Sequence, residues 1–312
     1  MTELSTKIIN SIERVIRLKD DSNIVSLHEP YFDDTNAWKY VRECIDTGWV
    51  SSVGNYVKRF EKEICSYTGA NHAVVVNNGT VGLRMALYIL GVRNGDEVLV
   101  PPYSFVATAN AVSHLGAIPH FIDIDHSSLS MSPHALDERL KEIAYKKNGK
   151  VYNRQTGRRI SAILPVHVFG VPADLDSISI IARNWGIPIV EDAAEALGSW
   201  IKINNKKIHC GLIGDVGIIS FNGNKLITSG GGGVIITNNK QLAFRAKHLT
   251  TTAKINHPWE FDHDEIGWND RMPNLNAALG LSQLEALEKR LILKRDLLTK
   301  YKYAFKNIKE IS

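Results

Sequence analysis

The chain has 312 residues, of which 44% are hydrophobic and 22% are charged, a composition typical of a folded globular protein rather than a disordered or fibrous one. Its 37 basic and 33 acidic residues leave a net charge of +4 without a dense basic run, which argues against nucleic-acid binding. Three widely spaced cysteines, no signal-peptide pattern and no membrane-length apolar stretch favour a cytoplasmic protein without a metal site.

Apolar periodicity predicts a helical segment within residues 1–20, followed from about residue 70 by short β-branched runs that alternate with helical patterns. This alternation is typical of the α/β class, with a mostly parallel sheet covered by helices. The polar stretch 146–159 is predicted to be an exposed excursion. The predicted strands are 72–76, 97–100, 120–122, 162–166, 187–191, 216–220 and 233–237. The predicted helices are 80–90, 107–115, 132–145, 175–184, 241–248 and an amphipathic stretch over 275–308.

A lysine that follows a predicted buried strand is the first candidate functional residue. Lys225 ends the segment SFNGNK, and four consecutive glycines follow at 230–233. A Schiff-base lysine needs a pocket that disfavours its ammonium form, and glycines let the backbone approach a planar cofactor closely. The alternative is an ordinary solvated lysine on a surface loop. The spacing fits neither of the glycine-rich phosphate motifs GxxxxGK[ST] and GxGxxG.

Polar residues also follow two other predicted strands. Asp192 lies where ligands of open α/β sheets collect, and a carboxylate there can keep a heteroaromatic nitrogen protonated. A metal ligand or a helix cap are the alternatives for this residue. Gly79 and Thr80 lie where a strand runs through a turn into a predicted helix, and the first N–H groups of such a helix can bind a phosphate, although a purely conformational turn has the same composition.

Two ring-bearing residues lie beyond other strand ends. Phe105 can stack on a flat ring, and its alternative is a place in the hydrophobic core. His167 follows a strand beside a turn, and we interpret it as structural rather than catalytic.

Together these segments resemble the DegT/DnrJ/EryC1/StrS family of nucleotide-sugar aminotransferases, which depend on pyridoxal 5′-phosphate (PLP). The resemblance rests on GWVSSVGNYVKRFE (48–61), NNGT (77–80), GDEVLVPPYSFVATANAV (95–112), PVHVFG (165–170), VEDAAEALGS (190–199) and SFNGNK (220–225). It implies PLP-dependent transferase fold type I, the aspartate aminotransferase-like fold. The large PLP-binding domain would cover 1–240 and a small C-terminal domain would begin at 241. Family members continue beyond the position of Ser312, so we expect the small domain over 241–312 to be incomplete.

The resemblance also implies roles for individual residues, with PLP as the cofactor. Lys225 matches the Schiff-base lysine and Asp192 matches the partner of the pyridine nitrogen, and these two are the expected catalytic residues. The other expected cofactor-binding residues are Gly79, Thr80 and Ser220 at the phosphate, Phe105 on the ring, Glu195 near the cofactor oxygen, and Asn269 at the phosphate of a neighbouring subunit.

Within the family, the block from Leu27 through GWVSSVG and FVATANAV is most similar to legionaminic acid aminotransferases. This similarity implies transfer of an amino group from glutamate to C4 of a nucleotide-linked 4-keto-6-deoxy sugar, of the N-acetylhexosamine type, in nonulosonic acid or cell-surface polysaccharide biosynthesis. Trp49, Ser51, Ser52 and Gly54 would lie near the sugar, and a tight turn with ordinary packing is their alternative. A homodimer with shared active sites is expected. The competing interpretations are a truncated, non-catalytic or regulatory member of the family and a PLP-dependent sugar dehydratase, in which histidine replaces the lysine.

Overall fold

The computed structural model describes residues 2–16, 28–33 and 35–310. The end of the predicted N-terminal helical segment, 17–20, and Leu27 lie outside these ranges. The strands are β1 (His72–Val76), β2 (Glu97–Val100), β3 (Ile118–Phe121), β4 (Ala144–Lys147), β5 (Lys150–Asn153), β6 (Arg159–Ile163), β7 (Val190–Asp192), β8 (Trp200–Ile203), β9 (Lys206–His209), β10 (Val216–Ser220) and β11 (Gly233–Thr237). The helices are α1 (Glu3–Val15), α2 (Ala37–Asp46), α3 (Asn55–Thr68), α4 (Gly79–Ile89), α5 (Ala107–Ser113), α6 (Pro133–Ile143), α7 (Leu175–Trp185), α8 (Lys240–Thr250), α9 (Asn274–Glu285) and α10 (Leu287–Phe305). None of the helices in these ranges is long and apolar enough to cross a membrane.

Seven strands form the central sheet in the order β1-β11-β10-β7-β6-β2-β3. Its two halves join through parallel bridges from Ile163 to Ile189 and from Val166 to Asp192. Strand β11 pairs antiparallel with both β1 and β10, and the remaining six strands run in one direction. The predicted mostly parallel α/β sheet is therefore confirmed.

The core covers both faces of this sheet, which explains the continuous apolar runs of its strands. Val234 and Ile236 of β11 pack on the side of α3 and α9, where the rings of Phe60 and Phe221 lie 5.0 Å apart. Ile235, between them in the chain, packs on the opposite side with residues of α4, α5 and α8. Because successive strand residues face opposite ways, a strand buried on both faces needs apolar residues throughout.

Two element predictions are wrong. The predicted excursion contains most of the β4–β5 hairpin, which extends the sheet antiparallel to β6 and buries Val151 and Asn153. Lysines on the outer strand masked this pattern, since charged side chains are a common protection of an exposed sheet edge.

The predicted helix over 275–308 divides at Ala286, whose φ and ψ of −96° and 3° are not helical. Its two halves pack on different partners, α9 on α2 and α3, and α10 on α1. The domain boundary at 240/241 stays a prediction.

We expect Gly217→Ala to destabilise the protein by about 3 kcal/mol, because a methyl group at this position of β10 overpacks the core. A Cβ on Gly217 would lie 2.1 Å from the carbonyl oxygen of Gly211, and backbone cannot move aside as a flexible side chain can. Gly223→Ala is the matched control, with no atom within 4 Å of the added Cβ and an expected change below about 0.5 kcal/mol. Urea unfolding measures both, and equal midpoints for the two variants would contradict the expectation.

Candidate active site

The carboxyl ends of the parallel strands surround one cleft of about 510 Å³. Such a position is where open α/β sheets bind ligands, because the loops that follow the strands diverge there. The structure brings seven of the predicted site residues together in its lining: Gly79, Thr80, Phe105, Asp192, Glu195, Ser220 and Lys225.

Lys225 points into this cleft and is not the solvated loop lysine of the alternative interpretation. Strand β10 ends at Ser220, and the Lys225 N–H donates to the carbonyl oxygen of Asn222, which closes a turn. The Lys225 side chain is 15% exposed, and its Nζ lies 2.9 Å from Glu195 Oε1. The other oxygen of Glu195 accepts the N–H of Phe169 at 3.1 Å. The amine is therefore held in the cleft by a carboxylate that is itself positioned by backbone.

Asp192 lies at the end of β7 and is 5% exposed. Its Oδ2 accepts the Thr108 hydroxyl at 2.6 Å and its Oδ1 accepts the N–H of Ala194 at 3.2 Å. Burial raises the pKa of the Asp192 carboxyl, and the hydrogen bonds from Thr108 and Ala194 oppose this rise. The segment that follows is a turn, so Asp192 does not cap a helix. No potential metal-binding cluster in the described ranges includes it.

The start of α4 contributes backbone donors to the cleft. Asn78 caps this helix, because its side chain accepts the N–H of Val81 at 2.9 Å. The first N–H groups of a helix have no acceptor inside the helix, and here they belong to Gly79 and Thr80 at the cleft wall. A Cβ on Gly79 would lie 3.2 Å from Ser220 Cβ, so glycine lets this turn approach the end of β10.

The four-glycine run does not serve the purpose that the sequence suggested. Residues 230–233 are absent from the cleft lining. A Cβ on Gly232 would lie 2.3 Å from Ser229 Oγ and 2.5 Å from Met272 Cε, and a Cβ on Gly233 would lie 2.7 Å from the carbonyl carbon of Asn78. The absence of a side chain at positions 232 and 233 therefore lets other parts of the protein pack closely against this segment, including the turn at Asn78 where α4 begins.

Phe105 is 78% exposed at the edge of the cleft, so its alternative interpretation as a core residue is wrong. Tyr103 and Phe169 also line the cleft, with ring centroids 6.4 Å apart in an edge-on arrangement. The cleft therefore has an aromatic rim as well as a polar floor.

The remaining predicted residues lie outside this cleft in the single chain. Asn269 is exposed, where its Oδ1 accepts the Arg271 guanidinium and its carbonyl oxygen accepts the Asn77 side chain at 3.4 Å. The loop with Trp49, Ser51, Ser52 and Gly54 borders a separate depression and is anchored by Asn274.

Asn274 explains the conformation of that loop. The side-chain nitrogen of Asn274 donates to the carbonyl oxygen of Trp49 at 2.6 Å. The backbone N–H of Asn274 donates to the carbonyl oxygen of Ser51 at 2.8 Å. A Cβ on Gly54 would lie 2.1 Å from Asn274 Cγ. Glycine is therefore needed at position 54 for packing within the chain.

Behind the cleft lies a buried polar pair. The side chains of His167 and Glu191 are fully buried, and His167 Nε2 lies 2.9 Å from Glu191 Oε2. The N–H of Ala173 donates to His167 Nδ1 at 3.1 Å, so that nitrogen carries no proton and Nε2 donates to Glu191. Glu191 also accepts backbone N–H groups of Gly211, Ile213 and Gly214. This arrangement supports the structural interpretation of His167. Because side chains alternate between the two faces of a strand, Glu191 faces the core whereas its neighbour Asp192 faces the cleft. This alternation is the sequence signal that distinguishes the two acidic residues.

We expect Glu191→Gln to cost about 3 kcal/mol of folding stability at pH 7, because a carboxamide cannot accept all of these donors. Burial opposes the charge of Glu191, but the hydrogen bonds from His167, Gly214 and Gly211 hold the pKa of its carboxyl below 4.5. The carboxylate therefore stabilises the fold above that pH, and the deficit of the variant should decline as the pH falls below 4.5. Unfolding at several pH values tests this, with the surface change Glu138→Gln as control. A deficit that grows on acidification would contradict it.

Comparison with known proteins places these observations in a family. Residues 32–312 match the DegT/DnrJ/EryC1/StrS aminotransferase family. The GDP-perosamine synthases of Vibrio cholerae and Escherichia coli O157:H7 are each 37% identical, over 89% and 88% of this chain and 70% and 68% of their own lengths. The crystal structure of a DegT DnrJ EryC1 StrS aminotransferase from Brucella abortus superposes with a TM-score of 0.77 at 30% identity, over 88% of this chain and 69% of that one. The chain thus spans about two thirds of the length of these relatives.

Proposed function

Because the chain belongs to the DegT/DnrJ/EryC1/StrS aminotransferase family of PLP-dependent sugar aminotransferases, we propose that it transfers an amino group from glutamate to C4 of a nucleotide-linked 4-keto-6-deoxy sugar. The family, fold type I and the PLP cofactor expected from the sequence are confirmed by the comparisons. The observation that carries the proposed chemistry is the convergence of Lys225 and Asp192 on one cleft beside the start of α4.

The residues in the cleft fit PLP by charge and by hydrogen bonding. Asp192 is a buried carboxyl whose hydrogen bonds, within the described ranges, come from neutral groups, so it suits a protonated ring nitrogen. The N–H groups of Gly79 and Thr80, with the hydroxyl of Ser220, suit the phosphate. Lys225 would attach the cofactor and Phe105 would lie on its ring. When bound, PLP supplies a ring that delocalises the electron pair released at the α-carbon of the amino donor.

The protein's own part of the reaction is mainly proton transfer and positioning. The Lys225 amine would take the proton from the α-carbon of glutamate and later deliver a proton at C4 of the sugar. Asp192 would hold a proton on the ring nitrogen, and Glu195 would orient the Lys225 amine through their 2.9 Å contact. Because one site serves both substrates in turn, ping-pong kinetics are expected.

The identity of the sugar is the finer part of the proposal. The resemblance to legionaminic acid aminotransferases supports an N-acetylhexosamine, for nonulosonic acid or cell-surface polysaccharide biosynthesis. The 37% identity to proteins named GDP-perosamine synthase supports a GDP-linked sugar as a second candidate. The loop that contains Trp49, Ser51, Ser52 and Gly54 lies outside the cleft of its own chain. We propose that it contacts the sugar only in the assembled oligomer.

Amino transfer to a panel of sugars tests the proposal. The purified chain with PLP and glutamate would be given UDP- and GDP-linked 4-keto-6-deoxy sugars, with and without an acetamido group, and the amino sugar detected by mass. We expect transfer to one class at least tenfold faster than to the others. PLP-loaded protein that transfers to no member of the panel would favour the non-catalytic interpretation. Lys225 itself disfavours the dehydratase, whose relatives carry histidine there.

We also propose a homodimer in the cytoplasm with shared active sites. Asn269 lies on the surface outside its own cleft, as a residue that serves a neighbouring subunit must. Trp49, Phe105 and Phe169 are 57%, 78% and 72% exposed, and large exposed aromatic side chains are typical of contact surfaces. All three cysteines are free, which suits a reducing compartment. Light scattering of the PLP-loaded protein tests the dimer, and a monomeric mass in fully active protein would contradict it.

A further inference from the structure

Two hydroxyl groups stand behind the Asp192 carboxylate. Thr108 Oγ1 lies 2.6 Å from Asp192 Oδ2, and Ser104 Oγ lies 2.6 Å from Thr108 Oγ1. Thr108 is 2% exposed, in the first turn of α5, and all three residues line the cleft. The sequence places Thr108 and Asp192 84 positions apart, so their contact is a product of the fold.

The direction of these hydrogen bonds follows from the donors available. An ionised carboxylate can only accept, so the single O–H of Thr108 donates to Asp192. Ser104 must then donate to the Thr108 oxygen, which gives a chain directed from Ser104 through Thr108 to Asp192. Hydrogen bonds in such a chain polarise one another and strengthen the last of them.

The two linked hydrogen bonds, from Ser104 to Thr108 and from Thr108 to Asp192, affect both the charge and the orientation of the Asp192 carboxylate. Hydrogen bonds to the charged form favour ionisation, whereas burial favours the neutral acid. Thr108 holds one oxygen and the Ala194 N–H holds the other, so the plane of the carboxylate is set by two donors. A fixed, ionised acid is what a protonated ring nitrogen requires, because a neutral acid offers it a weaker acceptor.

We propose that Thr108, supported by Ser104, is a positioning residue that keeps the Asp192 carboxylate ionised and oriented toward the ring nitrogen of the cofactor. This inference rests on the proposed function, in which Asp192 binds that nitrogen. In this role Thr108 acts through its hydrogen bond to Asp192 rather than directly on the substrate.

The test compares PLP with 1-deaza-pyridoxal 5′-phosphate, which keeps the aldehyde and the phosphate but has a carbon in place of the ring nitrogen. Fluorescence titration of the cofactor-free full chain gives both affinities. Thr108→Val is expected to weaken PLP binding about tenfold, the loss typical of one hydrogen bond to a charged group, and to change binding of the deaza analogue less than about twofold. Thr108→Ser keeps the hydroxyl and should keep the wild-type preference for PLP.

Two further variants make the test independent of general packing effects. Thr250→Val removes another buried hydroxyl, which donates to the Ala246 carbonyl at 2.7 Å within α8, and should leave both affinities unchanged. Ser104→Ala should weaken PLP binding by about threefold without affecting the analogue, because it removes only the second bond of the chain. This variant also serves if Thr108→Val does not fold.

The outcomes separate the inference from the function it rests on. If wild type prefers PLP to the analogue and Asp192→Asn removes the preference, while Thr108→Val and Ser104→Ala retain it, the inference is overturned and the function of Asp192 stands. Equal loss of both ligands in Thr108→Val likewise overturns the inference, since packing alone would explain it. If wild type shows no preference between the two ligands, both the inference and the proposed role of Asp192 are overturned.

Discussion

Lys225→Ala is expected to abolish covalent attachment of PLP and to lower kcat of amino transfer by about 10⁴-fold, because in the proposed mechanism the same amine both holds the cofactor and moves the proton. The structure supports this expectation by the burial of the Lys225 side chain in the cleft and by its contact with Glu195 at 2.9 Å. The measurement has two parts. Borohydride reduction followed by peptide mass spectrometry locates the attached cofactor, and product analysis with glutamate and the preferred sugar gives kcat.

A second lysine with a similar ion pair provides the control. Lys247 Nζ lies 2.7 Å from Glu61 Oε1, at a site that does not line the cleft. Lys247→Ala should keep covalent labelling and kcat within about twofold of wild type, since only a partly exposed ion pair is lost. Labelling of Lys225→Ala at another lysine with turnover retained would show that the cofactor is held elsewhere. The proposed active site would then be wrong.

Asp192→Asn is expected to lower kcat by about 10³-fold while the folded protein keeps or gains stability. The loss follows because a carboxamide is a neutral and weaker partner for a protonated ring nitrogen, in a buried site where charge counts most. The stability expectation follows from burial, which raises the pKa of the Asp192 carboxyl. With its folded pKa above the unfolded value, this group costs stability once it ionises, so cofactor-free wild type should lose stability as the pH rises through the folded pKa. The variant lacks that loss.

Thermal unfolding of the cofactor-free proteins across pH, together with kcat of the loaded proteins, measures both halves of this prediction. Asp215→Asn is the matched control near the other end of β7, where Asp215 Oδ2 accepts the N–H of Ile189 at 2.8 Å. This control should lose some stability and keep kcat within about twofold. A variant of Asp192 that is both less stable and fully active would show that its carboxylate serves the fold rather than the cofactor.

The stability changes expected for the variants of Glu191 and Asp192 have opposite signs because neighbouring residues of a strand face opposite sides of the sheet. Glu191 points into the core, where His167 and three backbone N–H groups satisfy it, and its loss should destabilise the protein. Asp192 points into the cleft, where its carboxylate accepts from two neutral donors, and the ring nitrogen of the proposed cofactor would be its cationic partner. Binding of that partner would offset the free energy lost by burying the Asp192 charge, and a site that is destabilising until its ligand binds is common in functional proteins.

The sequence by itself determined the α/β class, the bounds of β1, β2, β10 and β11, and the meeting of Lys225, Asp192, Gly79 and Ser220. Strand bounds are recoverable because apolar runs ending at turn residues are local signals. The meeting of the site residues is recoverable because each lies at or shortly after the carboxyl end of a strand in a mostly parallel sheet, and the carboxyl ends of parallel strands share one edge.

Only the tertiary structure decided that Thr108 donates a hydrogen bond to Asp192 and that Phe105 is exposed. It alone showed that the glycines at 232 and 233 make room for Ser229, Met272 and Asn78. It also decided that residues 144–153 form a hairpin and that Gly54 makes room for Asn274. Each of these outcomes joins segments that pack together only after the chain has folded. A hydroxyl, a glycine or an aromatic ring has the same local propensity whether it faces a cofactor, a neighbouring strand or solvent, so its partner is set by packing between segments distant in sequence.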